Sequence, residues 1–251
     1  MDRINKYNVP ALERAHLIIG LIAEAPSGCK LIDLSRELGI NKSSMYSLLL
    51  TMERLGWLQK DARDCYRLGS FFGRTGSLYF RQYDLVSHFY REAGQVRDRM
   101  EETLQLGKLE GRDVFYLAKE EASSPVRLVS EPGTTWAAYA TGLGKVMLAD
   151  KSDREVSELF PEEQLSPFTN HSIGSRDELL VELAKIRLNG YAIDEEEAVQ
   201  GFCCAAAPIR GANGGVIAAV SCSVPQSRWA QKKQLAIEEV TALAQVLSQG
   251  Q

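Results

Sequence analysis

Nothing in the 251 residues approaches the run of about 18 apolar positions that a membrane-crossing helix needs. The opening Met1-Asp2-Arg3-Ile4-Asn5-Lys6 also lacks the apolar stretch of a secretion signal, so a cytoplasmic protein with no membrane partner is expected. Cysteine is scarce: Cys29, Cys65, Cys203, Cys204 and Cys222 are odd in number and show no C-x-x-C spacing. That argues against both a disulfide framework and a zinc finger, and leaves reduced thiols. Histidine is scarcer still, and none of His16, His88 and His171 falls in a base–nucleophile motif. An enzyme using Cys203 or Cys204 is therefore a remote alternative, and no catalytic residue or cofactor is expected. Internal repeats and low-complexity segments are absent.

What is present is globular: 45% hydrophobic and 25% charged residues, enough for two domains with a core each. The net charge of -4 hides a division, since residues 1–70 carry ten Lys/Arg against eight Asp/Glu and so leave -6 on the remainder. A mildly basic head on an acidic body fits a protein that meets phosphate at one end. In the head, Asn8 and Pro10 start a helix with Leu12, Ala15, Ile19 and Ile22 on one face, and Pro26-Ser27-Gly28 stops it. Residues 31–38 read as a second helix and Gly39-Ile40-Asn41 as a turn. A third helix follows, with Met45, Leu48, Leu49, Met52 and Leu55 on one stripe. Its other face carries Lys42, Ser43, Ser44, Tyr46, Ser47, Thr51 and Arg54, short hydroxyls with a cation near each end, which suits base edges and phosphates. Trp57 to Lys60 and Cys65 to Leu68 then form a hairpin with a polar tip. Arg63 at that tip is either a DNA contact or a solvated turn cation. The whole is a winged helix-turn-helix pattern.

Ser70 opens a short helix to about Phe80, weakened by Gly73 and Gly76, whose Phe71, Phe72, Leu78, Tyr79 and Phe80 need a partner. We read it as linker plus dimer contact. From Asp84 the pattern alternates: a helix to about Glu102, strands at Thr103–Leu109, Val114–Lys119 and Val126–Ser130, then capping boxes at Ser152-x-x-Glu155 and Ser175-x-x-Glu178. The helix opened by Ser175 ends at Asn189-Gly190. Strands at Cys204–Ile209 and Val216–Ser223 precede a last helix from about Gln231 to Leu247. The expected fold class is α+β: a winged helix-turn-helix at 8–69, a linker helix at 70–82, and an antiparallel-sheet domain at 83–251.

Six ordered blocks carry a more specific signal. They are Leu34 to Ser44; Leu55-Gly56-Trp57-Leu58 with Tyr66-Arg67-Leu68-Gly69; Ala140 to Lys145; Gly190 to Glu196; Gly201 with Cys204 to Ile209; and Ala218 to Ser223. Over nearly the whole chain, from about Val9 to Leu247, these resemble the IclR family of bacterial transcription regulators. The resemblance implies a GAF-like effector-binding second domain and a homodimer or dimer of dimers on near-palindromic operator DNA. It further implies a repressor whose effector is a small organic acid. Two departures stand out. Ser47 sits where the family usually has an arginine, removing a contact worth about 1–3 kcal/mol when bidentate. Ile32 stands at the expected cap of the second helix in place of Ser or Thr.

By the same resemblance, effector contacts fall at Gly142, Leu143, Asp194, Cys204, Ser221 and Ser223. Thr141-Gly142-Leu143-Gly144-Lys145 reads as a helix start whose free N–H groups would hold an anion. Ser221 and Ser223 share a strand face, with Cys222 turned away. Trp136 and Tyr139 replace an aliphatic residue and a histidine of the family pattern and point to an aromatic ring in the ligand. Each has a plain structural alternative: Asp194 in a solvated acidic loop, packing glycines, Cys204 and the aromatics as core. A metal sensor built from Asp194, Cys204 and His171 or Cys222 is a further alternative, though no tight chelate pair supports it. A structural adaptor with a degenerate DNA domain is the last.

Overall fold

Pro10 opens α1 (Pro10–Ala23), where its fixed φ and missing N–H suit the first turn. The computed structural model describes residues 9–81, 84–123 and 130–249, in two compact units that divide at residues 82 and 83. No helix among the described residues is long and apolar enough to cross a membrane.

In the first unit α1 turns Ala15, Ile18 and Ile22 inward. Leu12, expected on that face, is exposed, and Ile18, one residue before the expected Ile19, takes the central place. The strand β1 (Cys29–Lys30) leads into α2 (Leu31–Glu37). Lys30, not Ile32, is the cap residue of α2, and no side chain caps the helix. Asp33 in its first turn meets the dipole instead and accepts from Arg36 at 3.0 Å. The third helix, α3 (Lys42–Arg54), is capped by Asn41, whose side chain accepts from the Ser44 N–H at 2.9 Å. Met45, Leu49 and Met52 are buried on its inner side, Leu48 is half-buried, and the stripe stops there because Leu55 is already the C-cap. The wing is β2 (Leu58–Lys60) and β3 (Cys65–Leu68), and β3 also pairs with β1, giving a three-stranded sheet in the order β1-β3-β2. Two residues are too few for β1 to show any alternation in sequence. In α4 (Ser70–Arg81), Phe71 and Phe72 lie 5.7 and 6.4 Å from the Trp57 ring, so the start of the linker helix already has a partner within its own unit.

The second unit begins with α5 (Asp84–Met100), then β4 (Thr103–Glu110) and β5 (Asp113–Glu120) joined by a tight turn at Gly111-Arg112. The expected strand at Val126–Ser130 falls mainly on residues outside those described. A short β6 (Thr135–Ala137) and a 3-10 turn (Ala138–Ala140) precede α6 (Gly142–Leu148), α7 (Asp153–Leu159) and α8 (Arg176–Asn189). The Ser152 capping box forms in both directions. At Ser175 only the forward bond forms, since the Glu178 carboxylate accepts from the Gly174 N–H instead. Gly190 closes α8 in the left-handed region, φ 79°. Then come β7 (Ala192–Glu195), β8 (Phe202–Arg210), β9 (Val216–Pro225) and α9 (Gln226–Ser248).

The last helix starts five residues before the expected Gln231, because Pro225 stands at its cap and Trp229 is buried in its first turns. The six strands form one antiparallel sheet, β6-β5-β4-β9-β8-β7. The helices α5 and α9 pack against each other and the sheet, while α6 lies over β8, β9 and β4 with α8 behind it. Gly144 makes that seat possible: a Cβ there would stand 2.1 Å from the Ala138 carbonyl oxygen.

Adjacent leucines of α3 separate core from surface, Leu49 being fully buried and Leu50 52% exposed. In urea unfolding of the full chain, Leu49→Ala should lower the stability of the first unit by about 2–5 kcal/mol, and Leu50→Ala by no more than about 0.5 kcal/mol.

Candidate functional site

The outward side of α3 is the candidate nucleic-acid face. Lys42, Ser43, Tyr46, Ser47, Thr51 and Arg54 are exposed, and Ser44 is half-buried beside the cap. The hydroxyls are already held by the helix: Ser43 donates to the Asn41 side chain at 2.8 Å, Ser47 to the Ser43 carbonyl at 3.1 Å, and Thr51 to the Ser47 carbonyl at 2.9 Å. With those protons committed, the three hydroxyls are left with lone pairs to offer as acceptors. Lys42 and Arg54 have no acidic partner among the described residues and are available to phosphate. At the wing tip Asp61 accepts from the N–H groups of Arg63 and Cys65, and Asp64 pairs with Lys60 at 2.7 Å. These bonds hold the Asp61 carboxyl below its ordinary value, the Cys65 N–H first. The Arg63 guanidinium remains largely exposed. Arg67, in contrast, is anchored to the Pro26 and Ser27 carbonyls.

The second candidate site follows from sheet register. Cross-strand partners share a face, and two rows run over the same face of the sheet: Asp194–Cys204–Ser223, and Ala206–Ser221–Gln105. Gly142 of α6 looks onto this face, its missing Cβ 3.3 to 3.8 Å from Ala206, Asp194 and Cys204. Trp136, Leu143, Val199 and Phe202 close an enclosed pocket over it. Its free volume is about 30 Å3, room for a water or two, so a metabolite must push the walls apart.

Seven of the eight residues expected at the effector site line this pocket: Trp136, Gly142, Leu143, Asp194, Cys204, Ser221 and Ser223. Tyr139 does not. It is packed between Phe160 and Phe168, and its hydroxyl donates to the Ser166 carbonyl at 2.6 Å, so it is a core residue. The expected anion seat at the α6 start is altered too, since the Thr141 hydroxyl takes the Gly144 N–H at 3.0 Å. Sequence reading missed Gln105, Tyr116, Ser130 and Thr141. Gln105 was detectable as a polar residue inside the apolar strand Thr-Leu-Gln-Leu-Gly, where a side chain without a purpose is rare.

A hydrogen-bonded chain crosses the pocket floor. Cys204 and Ser223 meet at 3.2 Å, Ser223 donates to Gln105 at 3.1 Å, and the Gln105 amide donates to Ser130. Ser221 and Tyr116 also line the pocket, and their hydroxyls have no hydrogen-bond partner among the described residues. Behind the floor sits Lys145, fully buried, donating to the Ile193 carbonyl at 2.7 Å and to the Glu197 carboxylate. Asp194 accepts from the Glu197 N–H at 2.8 Å. Burial, and next the Glu197 carboxylate, push the Asp194 carboxyl up to about 7, against the pull of Lys145. Burial also raises Glu197.

The cysteines have none of the features of a nucleophile. Burial, then Asp194, pushes the Cys204 thiol well above its ordinary value, and the same causes push Cys203 up to about 12. The alternative metal set does not come together. Cys222 lies on the opposite sheet face, toward Glu102 and Lys232, and His171 lines a separate open groove between α8 and β7. No group of three or more His, Cys, Asp or Glu among the described residues is placed to hold a metal ion.

Removing one partner of a buried ion pair leaves an uncompensated charge. Lys145→Met should therefore lower the stability of the second unit by about 3–5 kcal/mol. The double variant Lys145→Met, Glu197→Met should recover much of that loss in the same denaturation curves.

Comparison with known proteins agrees with this architecture. Residues 11–62 match the family model of the IclR helix-turn-helix domain, and residues 77–249 that of the bacterial transcriptional regulator IclR C-terminal domain. The chain is 32% identical to the HTH-type transcriptional regulator XynR of Escherichia coli over 88% of each protein. The crystal structure of the Agobacterium tumefaciens repressor BlcR matches 96% of this chain and 97% of its own, at 31% identity and a TM-score of 0.62. An IclR homologue from Microbacterium hydrocarbonoxydans, solved with 4-hydroxybenzoate, shares the fold over 95% of this chain and 98% of its own, with a TM-score of 0.82 and 20% identity. With a helix-turn-helix unit and a sheet unit both matched to their family models, this chain belongs to the IclR family of DNA-binding bacterial transcriptional regulators.

Proposed function

We propose that the protein is a cytoplasmic repressor that binds operator double-stranded DNA as a homodimer or dimer of dimers and responds to a small organic acid held in the second unit. In this reading residues 8–69 form the DNA-binding domain, 70–82 the linker and 83–251 the effector domain. Lys42, Ser43, Ser44, Tyr46, Ser47, Thr51 and Arg54 face the major groove, and Arg63 meets the backbone from the wing. Gly142, Leu143, Asp194, Cys204, Ser221 and Ser223, with Trp136 as an apolar wall, surround the effector. The observation that supports the effector half is the convergence of Asp194, Cys204, Ser221, Ser223 and Tyr116 on one pocket, where the hydroxyls of Ser221 and Tyr116 have no hydrogen-bond partner among the described residues. Polar groups that converge in a pocket are matched by a polar ligand. The repressor half draws on BlcR, a repressor that is 31% identical.

Fluorescence anisotropy with fragments from the promoters adjoining its gene tests the DNA half. Saturable binding is expected. Lys42→Ala and Arg54→Ala should each weaken all fragments alike and flatten the plot of log affinity against log salt by about 0.9 per lost phosphate contact. No saturable binding at low salt to any fragment would overturn the reading.

For the effector half, monocarboxylates of two to eight carbons, among them acetate, lactate, benzoate and 4-hydroxybenzoate, are screened by thermal shift. A true effector at 100 times its Kd adds about 2.7 kcal/mol and raises the unfolding temperature by several degrees. Ser221→Ala should reduce that rise, and the same acid should change DNA affinity.

A further inference from the structure

Among the described residues no cation lines the pocket. Its polar lining consists of hydroxyls, one thiol, the Gln105 amide and a single carboxyl, Asp194. The nearest ammonium, Lys145, is already bound to the Ile193 carbonyl and the Glu197 carboxylate. The groups that face Asp194 are few. Glu197 follows it in the chain, Lys145 comes from α6, Tyr116 from β5, and Cys203 and Cys204 from β8. Burial keeps the phenol and both thiols neutral in the physiological range. Among the described residues the charges of this cluster are therefore one ammonium against two carboxyls. With both carboxyls ionised the cluster is already negative, and a carboxylate ligand would add a second negative charge beside the buried Asp194.

We propose that an acid effector enters this pocket together with one proton taken from solvent, which resides on Asp194, so that the carboxyl donates a hydrogen bond to the ligand carboxylate instead of repelling it. The inference rests on the organic-acid reading of the site. Protonation leaves one ammonium and one carboxylate, Lys145 and Glu197, as a neutral pair, and the ligand carries the remaining negative charge into a ring of neutral donors. The assignment to Asp194 follows from geometry: Glu197 is the carboxyl that Lys145 contacts, whereas Asp194 lines the pocket. The raised Asp194 carboxyl, at about 7, supports this. Affinity for the acid should be level at low pH and fall as the pH rises past neutrality, toward tenfold per pH unit.

Two measurements on the full chain separate failure of this inference from failure of the reading beneath it. The first is a carbon-13 NMR titration of the aspartate carboxyls without ligand. One resonance, missing from Asp194→Asn, should titrate with a midpoint above about 6, outside the usual aspartate range. If every aspartate titrates below about 5, the inference is wrong.

The second is calorimetry with whichever monocarboxylate gives the thermal shift, in phosphate and in Tris, from pH 6 to 8.5. Wild type should take up close to one proton per site at pH 8 and lose affinity about tenfold or more over the range. Asp194→Asn should make the affinity ratio between those pH values close to one. Glu197→Gln should move the midpoint down by a unit or more, because Asp194 then faces Lys145 alone. A flat affinity in wild type, or an unmoved midpoint in Glu197→Gln, overturns the inference. If no acid binds, the organic-acid reading fails, and the proton on Asp194 is decided by the NMR titration.

Discussion

The charge of Lys145 constrains the pocket side of the second unit more than any other single feature. A lysine usually extends its ammonium to water along a four-carbon stem, but every residue of α6 is buried and no such route exists. The ammonium must be met inside, and the two groups that meet it are the Ile193 carbonyl and the Glu197 carboxylate. Those contacts tie the edge strand β7 and the segment after it to α6. Glu196 then adopts φ 63°, and its carboxylate accepts from the Gly201 N–H at 2.8 Å, while the Thr169 and Ser172 hydroxyls donate to the carbonyls of Glu196 and Glu197. Asp194 is held between, within reach of the pocket. The position of the carboxyl that lines the pocket is thus set by a charge that does not line it.

The same tie explains why α6 is built from Gly-Leu-Gly-Lys. A helix pressed this closely onto a sheet needs small residues where backbone meets backbone, and Gly144 against Ala138 is such a place. Gly142 serves differently. Its open face leaves space above Ala206 and Cys204 that a side chain would fill, so this glycine is part of the pocket itself. A reading of both glycines as packing residues holds for Gly144 only.

How far the sequence could be read depended on how much of each signal was local. The helices of the first unit, the wing and both serine caps follow from residues within a turn of one another, and these were legible. So was the alternation that puts Ser221 and Ser223 on one face and Cys222 on the other. The strands β1, β6 and β7 were not, because segments of two to four residues carry too little periodicity and form only by pairing with a longer neighbour. Asp194 illustrates the difference: within Asp-Glu-Glu-Glu it resembles a solvated acid, and it is buried because β7 pairs with β8 far along the chain. Tyr139 erred the other way, since an aromatic residue beside the pocket in sequence was taken up by Phe160 and Phe168. Gln105 and Tyr116 reach the pocket only through the β4–β5 hairpin, which no local pattern connects to α6.

At the DNA-binding end the physical situation is the reverse. The pocket is closed and nearly neutral in its lining, whereas the face of α3 is open and its hydroxyls are satisfied by the helix itself. A serine or threonine whose proton is committed to its own helix offers lone pairs, so it accepts from a base edge more readily than it donates. The amino groups of adenine and cytosine are the donors in the major groove. On the proposed reading, serine at position 47 in place of the arginine usual in the family would shift affinity toward Lys42, Arg54 and the phosphates, and sequence preference toward many weak acceptor contacts. If two copies of α3 meet one duplex as proposed, such an interface would be sensitive to small changes in how they are presented, because no single strong base contact would anchor either one. That sensitivity would suit the proposed control by a ligand of the second unit, where the free energy of binding one small molecule would have to be enough to change occupancy of the operator.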